Sequence, residues 1–363
     1  MDLATVLRTL EAQQDFYTLA NLPSIQFGAP TSPLLGPSVL PERRVDLNEW
    51  TEQAIRYRTF IANDGSRYSP AQMRPSGMIS GTMFVSLGNQ DVAAQLTSKD
   101  YDALLRHLRS NATMEVIANS VLSWMDNAIV QPLVKLQEKQ RWDALTKAQV
   151  VRVGDNGYTE TVTYPNPAGA RAAAGGQWSN DSYDPMGDIY AHVDALTALG
   201  YTANRFITSR KVATLLAKND FMIKRSGMGV RYQSPTETIL GRITRADLNS
   251  GFAADGLPSI ETYDSIYYDL AGTHRYIPDN IFIILATTGS DETIQYPNGE
   301  PRVMENVLGY SAVGTAAGQN NPGRVVIMEA KNDKPPRIES QGWQTTLPVL
   351  LEPEAVRCVT GIS

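Results

Sequence analysis

Cysteine is nearly absent: Cys358 is the only one in 363 residues. This excludes an intrachain disulfide and a thiolate metal site, and it fits a reducing compartment. Histidine is scarce too. His107, His192 and His274 fall on different elements, none at metal-ligand spacing with another histidine or the cysteine, so no metal centre is expected. Nucleotide-binding glycine patterns are missing, because Ser226-Gly227-Met228-Gly229-Val230 has neither the phosphate-loop spacing nor the dinucleotide fingerprint. No Gly-x-Ser-x-Gly elbow occurs. The carboxylate pairs Asp188 with Asp194 and Asp264 with Asp269 read as solvated or capping groups, and Tyr267, Tyr268 and Trp343 as packing aromatics with no basic residues interleaved. No catalytic, cofactor-binding or metal-binding residue is nominated, and no cofactor.

Basic excess is lacking as well. Lys and Arg number 32 against 38 Asp and Glu, a net charge of −6, which argues against a protein that works by neutralising phosphates. Contact with DNA should be weak and non-specific. No apolar run approaches the roughly 20 residues of a membrane span, and the start, Met1-Asp2-Leu3-Ala4-Thr5-Val6-Leu7-Arg8, has no basic segment followed by an apolar stretch. Neither export nor membrane anchoring is expected. The 42% hydrophobic composition is ample for real cores, and the length allows two domains.

The most telling stretch is Thr113 to Lys147, helix-coded over about three times the usual helix length. Met114, Ile117, Val121, Met125, Ile129, Leu133 and Leu136 recur at steps of three and four, a stripe along one face. Pro132 removes one helical hydrogen bond, so a kink is expected between Ala128 and Pro132. Asp126, Lys135, Glu138, Lys139, Arg141, Asp143 and Lys147 are read as its wet face.

Upstream, a short amphipathic pattern gives way to prolines at 23, 30, 33, 37 and 41, with Gly28 and Gly36. These favour an extended arm over helix or central strand, pinned in place by a neighbouring subunit. From Thr51 the pattern turns to period two, with Ile55, Tyr57, Thr59 and Ile61 opposite Arg56, Arg58 and Phe60; Asn63-Asp64-Gly65 marks a turn, and Ile79 to Leu87 alternates on the return. The prediction is a long two-stranded ribbon, marginal alone in water. It carries Arg56, Arg58, Arg67 and Arg74 against Asp64, so an acidic surface is its natural counterpart; arginines solvated on an edge strand are the alternative.

Ser98 is read as the cap of a helix through Tyr101 to Leu108. Val150 to Thr163 is a hairpin, and the Gly/Ala-rich stretch from Pro165 to Gly176 an exposed mobile loop. Asp184-Pro185 opens a helix that stops at Gly200 and begins a new compact unit. In it Arg205 to Thr208 is a strand, Ser209 caps a helix to Lys218, Ser234 to Leu240 is a helix within turn-rich sequence, and Ile260 to Tyr268 is a strand. Ile281 to Ala286, without polar alternation, is a strand buried on both faces. Strands at Gly323 to Lys331, Ile338 to Thr345, Leu347 to Leu351 and Val356 to Val359 complete an α+β chain, the tail pairing with the strut and the 150–163 hairpin.

In this order, the arm, ribbon, kinked helix, inserted unit and returning strands resemble the tailed-phage major capsid proteins of the Hong Kong 97 fold, nearest to the lambda-type capsid protein E branch. The run from Asn204 to Asn219, the segment Tyr263-Asp264 to Tyr267 followed by Tyr276-Ile277-Pro278-Asp279, and Leu347-Pro348-Val349 with Pro353-Glu354-Ala355 are similar to that branch. The resemblance implies an N-arm at 1–50, an extended loop at 51–97, a peripheral domain at 98–186 and 293–363 with spine helix 113–147, and an axial domain at 187–292. It places Arg56, Tyr57, Arg58, Arg67, Tyr68 and Arg74 at a subunit interface, and Trp124, Pro132, Lys135 and Lys139 on the spine helix. Hexamers and pentamers of the chain would enclose double-stranded DNA, assembled in the host cytoplasm with a separate scaffolding protein, a portal and a decoration protein as partners. Some shells of this fold join subunits through a lysine in the extended loop; none occurs between Thr51 and Ser98, so no such link is expected. The competing readings are a hydrolase-like enzyme with its site in 187–292 and a cellular nanocompartment shell.

Overall fold

The computed structural model describes residues 34–57, 78–97, 99–100, 123–154, 158–226, 230–234, 237–240, 243–269, 271–287, 294–295, 301–302, 308–331 and 337–363. The segment 1–33, the ribbon tip and the first part of the expected strut lie outside this set.

Residues 34–44 are part of the body. A turn of helix, α1 (Gly36–Val39), starts with Pro37 in its first turn, and β1 (Glu42–Arg44) follows. Val39 and Leu40 are fully buried. The expectation of an extended arm held by a neighbour is therefore corrected here: proline suits the first helical turn, and two buried aliphatic side chains seat the segment on its own core. β1 pairs in parallel with β17 (Gly309–Val313).

β2 (Glu49–Tyr57) and β3 (Met78–Ser86) form the antiparallel ribbon, in register from Glu49↔Ser86 to Tyr57↔Met78. At its base Glu52 is buried and accepts from Trp50 Nε1 at 2.6 Å and Tyr310 hydroxyl at 3.0 Å, which ties the ribbon to the body. β4 (Gly88–Thr97) then runs along β19 (Arg337–Leu350), from Gly88↔Thr346 to Thr97↔Arg337. β18 (Val325–Lys331) and β17 line the other side of β19. Two strands expected over 338–351 are thus one. Pro348 is accommodated because β4 has already ended on the side its missing N–H would face, and its carbonyl accepts from the Tyr164 hydroxyl at 2.6 Å. Small strands β15 (Ile294–Gln295) and β16 (Pro301–Arg302) extend the ribbon sheet, β15 pairing with β2.

A helical stretch at 123–125 passes through a π-helical segment, Asp126–Val130, into α2 (Gln131–Lys147). The Gln131 N–H reaches back to the Asp126 carbonyl, so the chain widens by one residue just ahead of Pro132. This is the irregularity the proline requires. The helix lies on the five-stranded sheet, with Ile129 against Gly342, where an added Cβ would stand 2.3 Å from Ile129 Cγ2. Its wet face is a correction, however: Glu138, Arg141 and Asp143 are buried, the first two essentially completely. Upstream, Thr97 and Asp100 exchange backbone and side-chain bonds as a capping box; Ser98 and the helix expected through Tyr101 to Leu108 lie outside the described residues.

α2 ends in a left-handed Ala148, and β5 (Gln149–Val153) pairs with β6 (Thr159–Thr163) as expected. The loop that follows is not simply mobile, because β7 (Arg171–Ala173) joins a second sheet. That sheet has the order β11 (Ile260–Thr262), β8 (Arg205–Thr208), β14 (Phe282–Leu285), β20 (Val356–Thr360), β7. β14 lies at its centre, buried throughout as its unbroken apolar run implies. The C-terminal strand β20 is paired with β14, so the tail closes the inserted unit's sheet as well as the strut's.

Around it stand α3 (Pro185–Ala198), capped by Asp184 onto Met186 N, and α4 (Arg210–Lys218), capped by Ser209 onto Val212 N. α5 (Asp220–Ser226) follows. The predicted helix at 234–240 is instead the second strand of a hairpin, β9 (Val230–Ser234) with β10 (Glu237–Leu240); Thr238 and Ile239 are β-branched, and Pro235 sits between the strands. A helix the pattern did not give, α6 (Arg245–Ala254), starts at a Thr244/Asp247 capping box. The expected strand from Ile260 breaks after Thr262 and resumes as β12 (Ile266–Asp269), paired with β13 (Gly272–Arg275). Phe206, Phe252, Phe282 and Trp178 pack with tilted or edge-to-face rings at centroid distances of 5.3 to 5.8 Å in the core.

Candidate assembly site

The buried charge of α2 is the node from which the body is tied together. Glu138 Oε1 accepts from the Gly36 backbone N–H at 2.9 Å, Trp142 Nε1 at 2.7 Å and the Tyr263 hydroxyl at 2.8 Å. One carboxylate oxygen thus holds the N-terminal segment, the helix and the inserted unit. Its other oxygen faces Arg141 Nη1 at 3.5 Å, and Arg141 Nη2 lies 3.6 Å from Glu42 on β1. Burial and the Glu138 charge together raise the Tyr263 pKa, so the hydroxyl stays a donor. Burial works against the Glu42 carboxylate, but Arg324 at 2.6 Å and Arg141 outweigh it and hold its pKa below the ordinary value.

Between helix and sheet runs a layer of amides. Gln344 donates to Gln90 and to the Leu133 carbonyl, Gln90 donates to Gln140, and Gln137 donates to Ser311. Arg324 donates to Gln344, Gln137 and Glu42, each at 2.6 Å. A fully partnered buried network of this kind fixes register, since a shift of one residue would orphan several groups. The strut is therefore locked onto the sheet by polar contacts as well as by its apolar stripe.

Of the nominated interface residues, Arg56 and Tyr57 are the last residues of β2, opposite Ile79 and Met78. Arg58, Arg67, Tyr68 and Arg74 lie outside the described residues. On the spine, Trp124 and Lys135 are half-buried, Pro132 is exposed and Lys139 pairs with Asp143 at 2.8 Å. The sequence reading missed Glu138, Arg141, Glu42 and Arg324. A glutamate and an arginine three apart beside Trp142 in a long amphipathic helix could be read either as solvated or as buried, and only the fold decides.

The chemistry-bearing groups elsewhere have structural work. Asp188 accepts from Gly175 N–H, Trp178 Nε1 and the Tyr183 hydroxyl; Asp269 caps the turn at Ala271 and Gly272. Burial, then Arg357, lower the pKa of His192, and burial pushes the Cys358 thiol up to about 12, far from a reactive thiolate. Tyr267 stacks on His274 and packs tilted against Tyr276, as a packing aromatic. Among the described residues no helix is long and apolar enough to cross a membrane, and no cluster of three His, Cys, Asp or Glu could hold a metal ion.

A ribbon running off a body built from a spine helix with a π-helical segment ahead of Pro132, a sheet beneath it and an inserted α+β unit defines the Hong Kong 97-type shell fold. The crystal structure of the putative capsid protein of a prophage from E. coli CFT073 is similar over 98% of this chain and 99% of its own, with a TM-score of 0.59 and 12% identity. A phage-related protein from Bordetella bronchiseptica RB50 matches over 92% and 93%, with a TM-score of 0.51 and 14% identity. No curated protein matches by sequence. More particularly, residues 102–357 match the family model of the phage major capsid protein E, and the chain belongs to that family. It is a structural protein of the virion shell, built from copies of itself, and not an enzyme.

Proposed function

We propose that the chain assembles as hexamers and pentamers into an icosahedral head around double-stranded DNA, with the β2–β3 ribbon of each copy lying across the next, while residues 88–97 of the extended loop expected at 51–97 stay on their own body as β4. Supporting this reading is the ribbon itself: two strands run off the body at a base pinned by Glu52, Trp50 and Tyr310, and a two-stranded ribbon is marginal without a surface to lie on. Arg56, Tyr57, Arg58, Arg67, Tyr68 and Arg74 are the residues assigned to that contact. Residues 98–186 and 293–363 serve as the peripheral domain and 187–292 as the axial domain, β20 closing the axial sheet. Trp124, Pro132, Lys135 and Lys139 belong to the spine helix that carries the bend. Assembly takes place in the host cytoplasm, with scaffolding, portal and decoration functions supplied by separate proteins, and DNA touches the negative shell only weakly. Reversing Arg56, Arg58, Arg67 and Arg74 to Glu tests the ribbon. The variant subunit should keep its far-UV circular dichroism and lose particles in the electron microscope; undiminished shells would remove the arginine contact from the account.

A further inference from the structure

The β5–β6 hairpin has two unlike faces. Inward, Val150 is fully buried and Arg152 is held by Glu160 Oε2 at 2.8 Å and by the Ser86 carbonyl at 3.2 Å. Tyr158 donates to Glu160, and Gly154 N–H bonds the Tyr158 carbonyl. Outward, the cross-strand pairs Gln149↔Thr163, Val151↔Thr161 and Val153↔Thr159 present six exposed side chains without one charge. Val153 is 76% exposed and Val151 40%. The two charges of the described hairpin both lie on the inward face and neutralise each other.

Soluble sheet proteins protect such a surface with lysine, proline or inward-pointing charge, because a β-branched ribbon with an uncharged face invites another strand pair. Here the described strands carry no lysine and no proline, and their two charges, Arg152 and Glu160, point inward, so the outward face itself has no charge to hold a neighbour off. The hairpin is also rigidly seated, which suits a docking element better than a loose loop. Its occupant can be narrowed by charge. A basic ribbon would call for carboxylates, and this face has none. The same face on another copy meets no like charge, and this chain builds its shell from itself. We propose that the outward faces of the β5–β6 hairpins of neighbouring copies pack on one another and form a contact separate from the ribbon.

The proposal rests on the self-assembly of the chain, and the test separates the two. Wild type, Val153→Lys with Thr161→Lys, and Val153→Cys are expressed in parallel; Cys358 is the only native thiol and is buried. Lysines on an exposed face should leave the subunit's denaturation midpoint unchanged and reduce particle yield at least ten-fold. Val153→Cys shells should run as disulfide-linked dimers on a non-reducing gel, while unassembled subunits stay monomeric. Absence of wild-type shells would overturn the assembly reading. Wild-type shells accompanied by normal yield of the lysine variant and no Val153→Cys dimer would overturn the hairpin contact alone, leaving another protein or another segment as the face's cover.

Discussion

Replacing Glu138 by Gln keeps the side-chain shape and one oxygen but removes the charge beside Arg141. Arg141 is 1% exposed, its Nε and Nη2 make no hydrogen bond among the described residues, and its other carboxylate, Glu42, stands 3.6 Å away. An uncompensated buried guanidinium should therefore cost about 3 kcal/mol, the low end for breaking a buried pair from one side. Glu138→Ala leaves Gly36 N–H, Trp142 Nε1 and the Tyr263 hydroxyl without their acceptor as well, and should cost about 5 kcal/mol or more. Urea denaturation of the unassembled subunit, followed by the fluorescence of its five tryptophans, Trp142 among them, measures both. Pairing Glu138→Gln with Arg141→Met removes the stranded charge, so the double variant should be at least about 1 kcal/mol more stable than the sum of the singles. A Glu138→Gln subunit within about 0.5 kcal/mol of wild type would refute the node.

Acid should loosen the N-terminal segment before the body. Glu42 has a pKa below its ordinary 4.5 in the folded chain, so its contribution is complete above that value and is lost as pH falls through the lowered one. Protection factors for amide exchange at residues 34–44 should be undiminished at pH 5 and fall as the pH drops through the lowered pKa of Glu42, and Glu42→Gln should abolish that fall; protection factors independent of pH in wild type would contradict the role of the pair. At Gly309, with φ at +142°, an added Cβ would stand 2.0 Å from the Val349 carbonyl oxygen. Gly309→Ala should destabilise the subunit by about 3 kcal/mol, read from the same denaturation curve, and an unchanged curve would mean that β17 and β19 can part at no cost.

What could be read from the residues was what depends on local pattern. Period two gave the ribbon, Pro132 the irregularity in the spine, Asp184-Pro185 and Ser209 the starts of two helices, and the apolar run at Ile281 the central strand. The misses have physical reasons. Glu138 and Arg141 look solvated because neighbours that bury them, Gly36 and Tyr263, lie about a hundred residues away in opposite directions. β4 is rich in Ala, Gln and Asn, weak strand formers, and forms because ten of its residues find β19. α6 had a legible signal, the Thr244/Asp247 box, outweighed by glycines and an asparagine nearby. Interface residues are hardest, since exposed arginine on a ribbon reads the same whether it faces water or a neighbour.

The most direct measurement is a cryo-electron microscopy map of the shell formed by the chain. The account predicts residues 34–44 on their own subunit at Glu138, with the β2–β3 ribbon crossing onto an adjacent copy. A closed shell in which the ribbon folds back on its own body would contradict the account at its centre.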